Sequence, residues 1–338
     1  MLLRSVLVVI TWIVSTDAYS VNFRIPVGYQ TASISSMSSL NDKSNNFYSQ
    51  DETRKKSKKG KLLVLGGTGF LGRTICKRAI LEGYQVVSLS RRGYVDDGDT
   101  VDSTMTTTIT SKPPIDFRIG DARNKDTIRN ILAEDNEKEF TGIIHCIGLL
   151  FDDSSGLGQF NSFVSGSGSI PDKESTYDTI TRLTAFNAID ASEEYALNNK
   201  NKWKEKSFPL PFCFISAAEA GWPDVPGGKQ IENVLAPKWL QRYLVAKRTV
   251  ESKLMEFSSV SSTQALRPII FRPSLIYSLD RPQSYAPVAA FFVGNAIGLP
   301  FVDKPMTVQA LACAIVRSMD RDYVCGIQRY PEVEQLNL

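Results

Sequence analysis

The stretch GGTGFLG, residues 66 to 72, follows KLLVL (61 to 65) and precedes RTICKRAILEGYQ, and these neighbours decide how it reads. KLLVL is apolar after its lysine and runs directly into glycine, as a buried parallel strand does. From Arg73 to Glu82 the apolar residues Ile75, Ala79 and Ile80 share a helical face, and Gly83 supplies a stop. YQVVSLSRRG then gives a second strand, so that strand, glycine turn, helix and strand form one βαβ unit. Gly67, Gly69 and Gly72 satisfy G-x-G-x-x-G, while Gly66, Gly69 and Gly72 fall three apart. Such a turn lets the backbone approach a pyrophosphate closely. The helix behind it directs unpaired N–H groups and its positive dipole end at the phosphates. Gly66, Gly67, Thr68, Gly69, Phe70, Leu71 and Gly72 are therefore expected to hold a dinucleotide.

The alternation continues outward. A third strand is expected at IDFRIG (115 to 120), a short helix from Asn124 to Ala133, and a fourth strand at TGIIHCIG (141 to 148). A helical segment from Tyr177 to Leu197 follows a Gly- and Ser-rich stretch, and PFCFISAA (211 to 218) and RPIIFRPSLIY (267 to 277) read as the fifth and sixth strands. Between them, WLQRYLVAKRTVESKLMEF repeats apolar groups at three- and four-residue steps, the mark of an amphipathic helix. The fold class is α/β, a doubly wound parallel sheet of the NAD(P)-binding Rossmann type over residues 60 to 280. Residues 281 to 338 are expected to form a small irregular region on the substrate side that completes the same domain. Its apolar YAPVAAFFVGNAIGLPF stretch reads as a core helix or a pocket wall.

The chain has 338 residues, with 39 basic and 36 acidic side chains, and this near balance gives no argument for nucleic acid. Five cysteines lie scattered without metal-like spacing, and His145 is the only histidine, so no metal site is expected. Residues 1 to 18 resemble a secretory-type signal, with Arg4 before the apolar SVLVVITWIV and small residues up to Ala18. Residues 19 to 59 form a polar, Ser- and Asn-rich leader expected to be disordered. A hydrophobic mitochondrial leader and delivery to a plastid through the secretory route both fit, and simple secretion is the alternative. An organellar address is expected, peripheral to an inner membrane, with mitochondrion ahead of plastid and the N-terminal segment removed.

The end of the second strand chooses the nucleotide. Enzymes selecting NAD place an acidic residue here, whereas this chain has Ser90, Arg91 and Arg92. Two guanidinium groups can pair with a 2′-phosphate and Ser90 can donate a hydrogen bond, which favours NADP(H) over NAD(H). The alternative is two solvated arginines. Asp121 and Ala122, past the third strand, fall beside the expected adenine, although Asp121 also suits a helix cap. Cys146, Ile147 and Gly148 end the fourth strand beside the adenosine ribose and nicotinamide, with Cys146 read as packing and His145 as a core histidine.

Two later features bear on turnover. Ser216 stands at the carboxyl end of the fifth strand, where an open α/β sheet exposes its crevice. Tyr243 and Lys247 form Y-x-x-x-K on one helical face, and an ammonium beside a phenol lowers the phenol's pKa. The phenol then exchanges a proton with a carbonyl or alcohol, Ser216 holds the same oxygen, and Lys247 also binds the nicotinamide ribose. The bland alternative is a surface tyrosine near a solvated lysine. GWPDVPGGKQ, between Ser216 and Tyr243, is an inserted loop that either shapes the pocket or displaces the pair.

Together, GGTGFLG, SRR, Ser216, Tyr243, Lys247 and the Arg272–Pro273 step in IFRPSLIY resemble the short-chain dehydrogenase/reductase family in its atypical or extended branch. The resemblance covers about residues 60 to 335 and implies NAD(P)-linked oxidoreduction, with Pro273 passing the nicotinamide side. HCIGLL, STYDTITR and FISAAEAGWPDVP are similar to the mitochondrial short-chain-dehydrogenase-like proteins of coenzyme Q biosynthesis. The same branch includes the NADPH-binding accessory subunit of respiratory complex I and a plastid NAD(P)-binding group. The implied substrate is quinone-related, isoprenoid or another hydrophobic small molecule. The implied alternative is a structural nucleotide in a peripheral membrane assembly.

Overall fold

Strand β1 (Lys61–Leu65) is buried along its length because both of its faces are covered, Leu62 and Val64 entering one core and Leu63 and Leu65 the other. Burial stabilises by about 1.5–3 kcal/mol per Leu or Val side chain, which makes this enclosed strand a major contributor to stability. The computed structural model describes residues 59–93, 115–134, 139–158, 173–200, 209–257, 264–280, 285–296 and 302–338. The signal-like segment, nearly all of the polar leader and the loop from 94 to 114 lie outside the described residues.

Around β1 the sheet adds β2 (Gln85–Ser90) and β3 (Ile115–Ile119) on one side, then β4 (Phe140–His145), β5 (Leu210–Ile215) and β6 (Leu266–Phe271) on the other. All of these pairings are parallel. The order β3-β2-β1-β4-β5-β6 reverses direction between β1 and β4, and that reversal opens the ligand crevice beyond the strands' carboxyl ends. Leu65 aligns with Leu89 on one side and His145 on the other, so the strand ends bordering the crevice are level.

Helices cover both faces. Helix α1 (Phe70–Leu81) packs Leu71, Ile75, Cys76 and Ala79 on the first core. On the second face lie α2 (Lys125–Ala133), capped by Asn124, and α3 (Thr184–Asn199), whose buried stripe is mostly alanine and serine. Small side chains there allow α3 to sit close against α2. The segment expected to be one helix from Tyr177 instead starts with a π-helical stretch (Tyr177–Leu183) before α3. Such wide turns re-aim side chains, and here the Tyr177 hydroxyl donates to the Leu150 carbonyl at 2.8 Å. The insertion after β5 forms a 3-10 segment (Ala218–Asp224) and helix α4 (Gly228–Leu235), followed by the long helix α5 (Lys238–Met255).

The C-terminal region is more regular than its sequence suggests. It contains β7 (Ile276–Tyr277), α6 (Tyr285–Ala296), β8 (Met306–Thr307), α7 (Val308–Asp320), β9 (Gly326–Gln328) and α8 (Tyr330–Asn337). Strand β9 pairs with β6 as the seventh strand of the sheet, and β7 pairs with β8. Helix α7 belongs to the first core and buries Val308, Leu311, Ala312, Ala314, Ile315, Val316 and Met319. Its buried positions recur at three- and four-residue steps, with Gln309, Cys313, Arg317 and Asp320 along the outer side, the pattern of an amphipathic helix. Its far end is joined to the start of the domain by Asp320, which accepts from the Tyr84 hydroxyl and the Lys59 ammonium. Buried Arg267 of β6 donates to the carbonyls of Ser318, Met319, Arg321 and Val324, occupying acceptors at the end of α7. Among the described residues no helix is long and apolar enough to cross a membrane.

Candidate dinucleotide and catalytic site

Gly66 turns the chain out of β1 at φ +87°, a conformation that glycine adopts at little cost. A Cβ there would meet the Ile147 side chain at 3.0 Å and its backbone nitrogen at 3.1 Å. At Gly72 a Cβ would overlap the Gly66 carbonyl oxygen, and at Gly67 it would overlap the Ser88 hydroxyl. The Gly69 amide donates to the Gly66 carbonyl at 3.0 Å, closing the turn. Gly69 then caps α1 with no side-chain hydrogen bond, and the first turn holds no acidic residue. This leaves a helix N-terminus beside a turn kept free of side chains, suited to an anion. Thr68 and Phe70 are partly buried in it, while Leu71 points into the first core.

Beyond β2, Arg91 and Arg92 are exposed in a turn that ends at Gly93, whose φ is +64°. The Ser90 hydroxyl donates to the Gly93 carbonyl at 3.2 Å, so it braces this turn. Asp121 is not the cap of α2, a role taken by Asn124, whose side chain accepts from the Asp126 amide at 2.9 Å. Burial alone would raise the Asp121 pKa, but hydrogen bonds from Arg123 and the charges of Arg123 and Arg91 hold it below its usual value. The Arg123 guanidinium reaches it at 2.7 Å. Ala122 is buried, and its carbonyl accepts from Asn187 at 3.1 Å.

His145 is fully buried, with Nε2 at 3.0 Å from the Thr184 hydroxyl. That hydroxyl also donates to the Ile180 carbonyl at 2.6 Å, which assigns the imidazole proton to Nε2. Burial, helped by the Lys247 charge, pushes the His145 pKa down to about 3, so it stays neutral. Cys146 donates its thiol to the Leu65 carbonyl at 3.1 Å, and burial pushes its pKa up to about 12. It is a packing group.

Ser216 lies one residue beyond β5, and its hydroxyl is buried without a hydrogen-bond partner. A buried hydroxyl with no partner costs about 1–3 kcal/mol, which a bound oxygen at this spot would relieve. Lys247, also buried, donates from Nζ to the carbonyl of Ile215, the residue before Ser216, at 2.7 Å. A Cβ added to Gly148 would come within 3.7 Å of Nζ, so the end of β4 borders the same ammonium. Burial lowers the Lys247 pKa to about 8, opposed by the Glu251 carboxylate one turn further along α5. Pro273 is buried, and its carbonyl accepts from the Ala218 amide at 2.8 Å, tying the ends of β5 and β6 together.

Tyr243 departs from expectation in its electrostatics. The Lys247 ammonium stands 5.5 Å from the centre of its ring rather than against its hydroxyl. Burial, with the charge of Glu219 and the neighbouring Tyr177, holds the phenol well above its usual pKa. The expected lowering by Lys247 is thus absent in this state, because the ammonium is spent on the Ile215 carbonyl. The Tyr177 and Tyr243 rings meet edge to face at 5.7 Å.

The insertion packs directly against α5. Ala217 and Ala220 pack with Leu244, and Trp222, Leu240 and Tyr243 close over them. Glu232 of α4 is clamped by the Arg248 guanidinium at 2.6 and 2.8 Å. Arg272, following β6, donates to both Glu251 oxygens at 3.0 and 2.7 Å and to Asp224 at 2.6 Å. Glu251 lies four residues past Lys247, so Tyr243, Lys247 and Glu251 continue one helical face. That spacing was available in the sequence. The pairing of Tyr177 with Tyr243, which depends on a π-helical turn, was not.

Residues 62–157 match the model of the NAD dependent epimerase/dehydratase family. The chain is 27% identical over 301 residues to the Saccharomyces cerevisiae protein named MIOREX complex component 2, covering 81% of this chain and 98% of that one. Among solved structures it is similar to a short-chain type dehydrogenase/reductase from Mycobacterium ulcerans, with a TM-score of 0.54, 14% identity, and 82% and 90% of the two chains covered. It is also similar to ElxO with NADP bound, with a TM-score of 0.52, 13% identity, and 80% and 96% covered. At these identities the solved structures establish the fold, the NAD(P)-binding Rossmann fold.

Proposed function

We propose that this chain is an NADP(H)-binding protein of the short-chain dehydrogenase/reductase type that exchanges hydride with a carbonyl or alcohol. The observation that carries the reading is the unpartnered, buried Ser216 hydroxyl, which lies beside Lys247 and on the same side of the sheet as the glycine turn. The cofactor supplies the hydride. Gly66 to Gly72 and the N-terminus of α1 would hold its pyrophosphate, and Arg91 and Arg92 its 2′-phosphate. Lys247 and Gly148 would border its nicotinamide ribose, with Cys146, Ile147 and Pro273 along the same wall and Asp121 and Ala122 at the adenine end. Ser216 would hold the substrate oxygen, and Tyr243 would give or take its proton.

The proposed substrate is quinone-related, isoprenoid or otherwise hydrophobic, in keeping with the resemblance to proteins of coenzyme Q biosynthesis. Aromatic rings of Tyr177, Trp222 and Tyr243 beside the reacting groups support an apolar substrate. Following the loss of reduced-nicotinamide absorbance with NADPH and a panel of quinones and prenyl aldehydes tests this. Oxidation no faster than in protein-free controls throughout the panel counts against turnover.

Changing Arg91 and Arg92 together to alanine is expected to weaken NADPH binding about 10-fold or more while leaving NADH binding nearly unchanged. Fluorescence titration with both reduced cofactors checks it, and equal losses for the two would refute the 2′-phosphate assignment.

A second reading is favoured by the raised Tyr243 phenol and by the name of the yeast relative, a complex component. In that reading NADPH is structural and the chain is an accessory subunit of a membrane-peripheral assembly. For location, we propose an organelle, with mitochondrion ahead of plastid, on the strength of the basic, hydroxyl-rich leader and the family resemblance. Residues 1 to 60 fused to a fluorescent reporter should send it to that organelle in the native cell type. Diffuse cytosolic or secreted fluorescence would overturn the address.

A further inference from the structure

Three side chains from one turn of α5 are gripped from the β4 side of the site. Trp239, Arg242 and Tyr243 stand three and four residues apart, so they share one helical face. Trp239 meets the buried Phe151 edge to face, with ring centres 4.9 Å apart. Arg242 donates to the buried Asp152 carboxylate at 3.2 Å and to the Ser154 hydroxyl at 2.7 Å. Tyr243 meets Tyr177 edge to face at 5.7 Å. Tyr177 is itself buried, and its hydroxyl donates to the Leu150 carbonyl at 2.8 Å. The segment leaving β4 therefore holds α5 twice directly and a third time through Tyr177. All three contacts fall on the turn that carries Tyr243.

We propose that Tyr177 is a positioning residue for Tyr243, its ring setting the direction of the phenol and its hydroxyl fixing that ring to the chain leaving β4. This rests on the oxidoreductase reading, in which Tyr243 gives or takes the substrate proton. Edge-to-face pairs have a preferred geometry, so a rigid first ring restricts the second. Tyr177 is held at both ends. Beneath it, Thr176 and Thr179 cap the π-helical stretch reciprocally, the Thr176 hydroxyl accepting from the Thr179 amide at 3.1 Å and the Thr179 hydroxyl from the Thr176 amide at 3.0 Å. At its tip, the Leu150 carbonyl holds the hydroxyl. Wide helical turns recur at functional sites, and this one delivers a ring to the proposed proton donor. Gly148, two residues before Leu150, borders the Lys247 ammonium. One short segment thus keeps the ammonium and the phenol in register. Such register matters, because a displacement of about 1 Å at a reacting group costs about 100-fold in rate.

Two measurements on the full-length protein test the brace, with Tyr177→Leu removing the ring and Tyr177→Phe removing only the hydroxyl. The first needs no substrate. In protein labelled with fluorotyrosine, the fluorine NMR resonance of Tyr243 is the one missing from Tyr243→Phe. Tyr177→Leu should shift and broaden it, whereas Tyr177→Phe, which keeps the ring, should broaden it with little shift. A Tyr243 resonance unchanged in both variants overturns the proposal whether or not any substrate is turned over. The second is carbonyl reduction with whichever quinone or prenyl aldehyde is turned over. At saturating substrate Tyr177→Leu should run about 10- to 100-fold slower and Tyr177→Phe about 3-fold slower, with KM and NADPH binding little changed. A Tyr177→Leu protein with the wild-type saturated rate, or one slowed only through a raised KM, overturns the positioning role and leaves the oxidoreductase reading intact. If Tyr177→Leu does not fold, Tyr177→Phe decides alone: wild-type resonance and wild-type rate together overturn the brace. A wild type that reduces nothing in the panel removes the oxidoreductase reading, and the resonance then decides whether Tyr177 holds Tyr243.

Discussion

Replacing Tyr243 with phenylalanine lowers hydride transfer about 10²- to 10⁴-fold, the usual contribution of one positioned proton donor, while NADPH binding changes little. The expectation follows from what the substitution removes. The ring keeps its edge-to-face contact with Tyr177 and its place beside Trp222 and Leu240, so the wall of the site stays intact. Lys247 keeps its hydrogen bond to the Ile215 carbonyl, and with it its place beside Gly148. Only the proton is lost. Single-turnover kinetics with bound NADPH and a reducible carbonyl measure the loss, and a cofactor titration in parallel checks that binding survives. Full rescue of a deletion strain by this variant would remove turnover from the function and leave the accessory-subunit reading in its place.

The second large effect is on stability. Arg272→Met should destabilise the fold by about 3–5 kcal/mol, because it leaves a buried carboxylate without its partner. Arg272 and Glu251 are both about 5% exposed and joined by two hydrogen bonds, so Glu251 would have to stay charged in an apolar setting or take up a proton. Asp224, half exposed, loses less. Adding Glu251→Leu to Arg272→Met should restore most of the stability, since removing both charges also removes their desolvation cost. Urea unfolding of the single and double variants separates the two contributions. A single variant as stable as the wild type would show that water reaches Glu251.

How much of this was legible in the sequence varies with the kind of signal. The unit from Lys61 to Ser90 was fully legible, because strand, turn and helix are adjacent and each glycine answers a local steric demand. The parallel sheet followed from the same alternation. Helix α7 carries a legible three- and four-residue period within a region expected to be irregular, whereas β9, three residues long, carries too little pattern to stand out. At the candidate site, Ser216, Tyr243 and Lys247 were expected from position, and the structure brings Lys247 to the carbonyl of Ile215, the residue before Ser216. Their electrostatics could not be read. Whether an ammonium meets a phenol at its hydroxyl or over its ring depends on a backbone carbonyl from another element. Asp121 shows the same limit, since the cap is taken by Asn124 and the Asp121 carboxylate is engaged by Arg123.

The strand that completes the sheet has a consequence in time. Strand β6 has β9 on its outer edge, and β9 begins 54 residues after β6 ends, reckoned from Phe271 to Gly326 with neither counted. Asp320, meanwhile, is bound to Lys59 and Tyr84 across separations of 261 and 236 residues. A ribosome making this chain therefore presents β6 with an open hydrogen-bonding edge well before its cover exists. The ties that fasten the first βαβ unit to α7 wait longer still. Contacts of such long range make folding slow, and an open edge held for that interval invites pairing with a neighbouring chain. The nascent protein should accordingly depend on chaperones until residue 328 has emerged, and a ribosome stalled earlier should leave an aggregation-prone product.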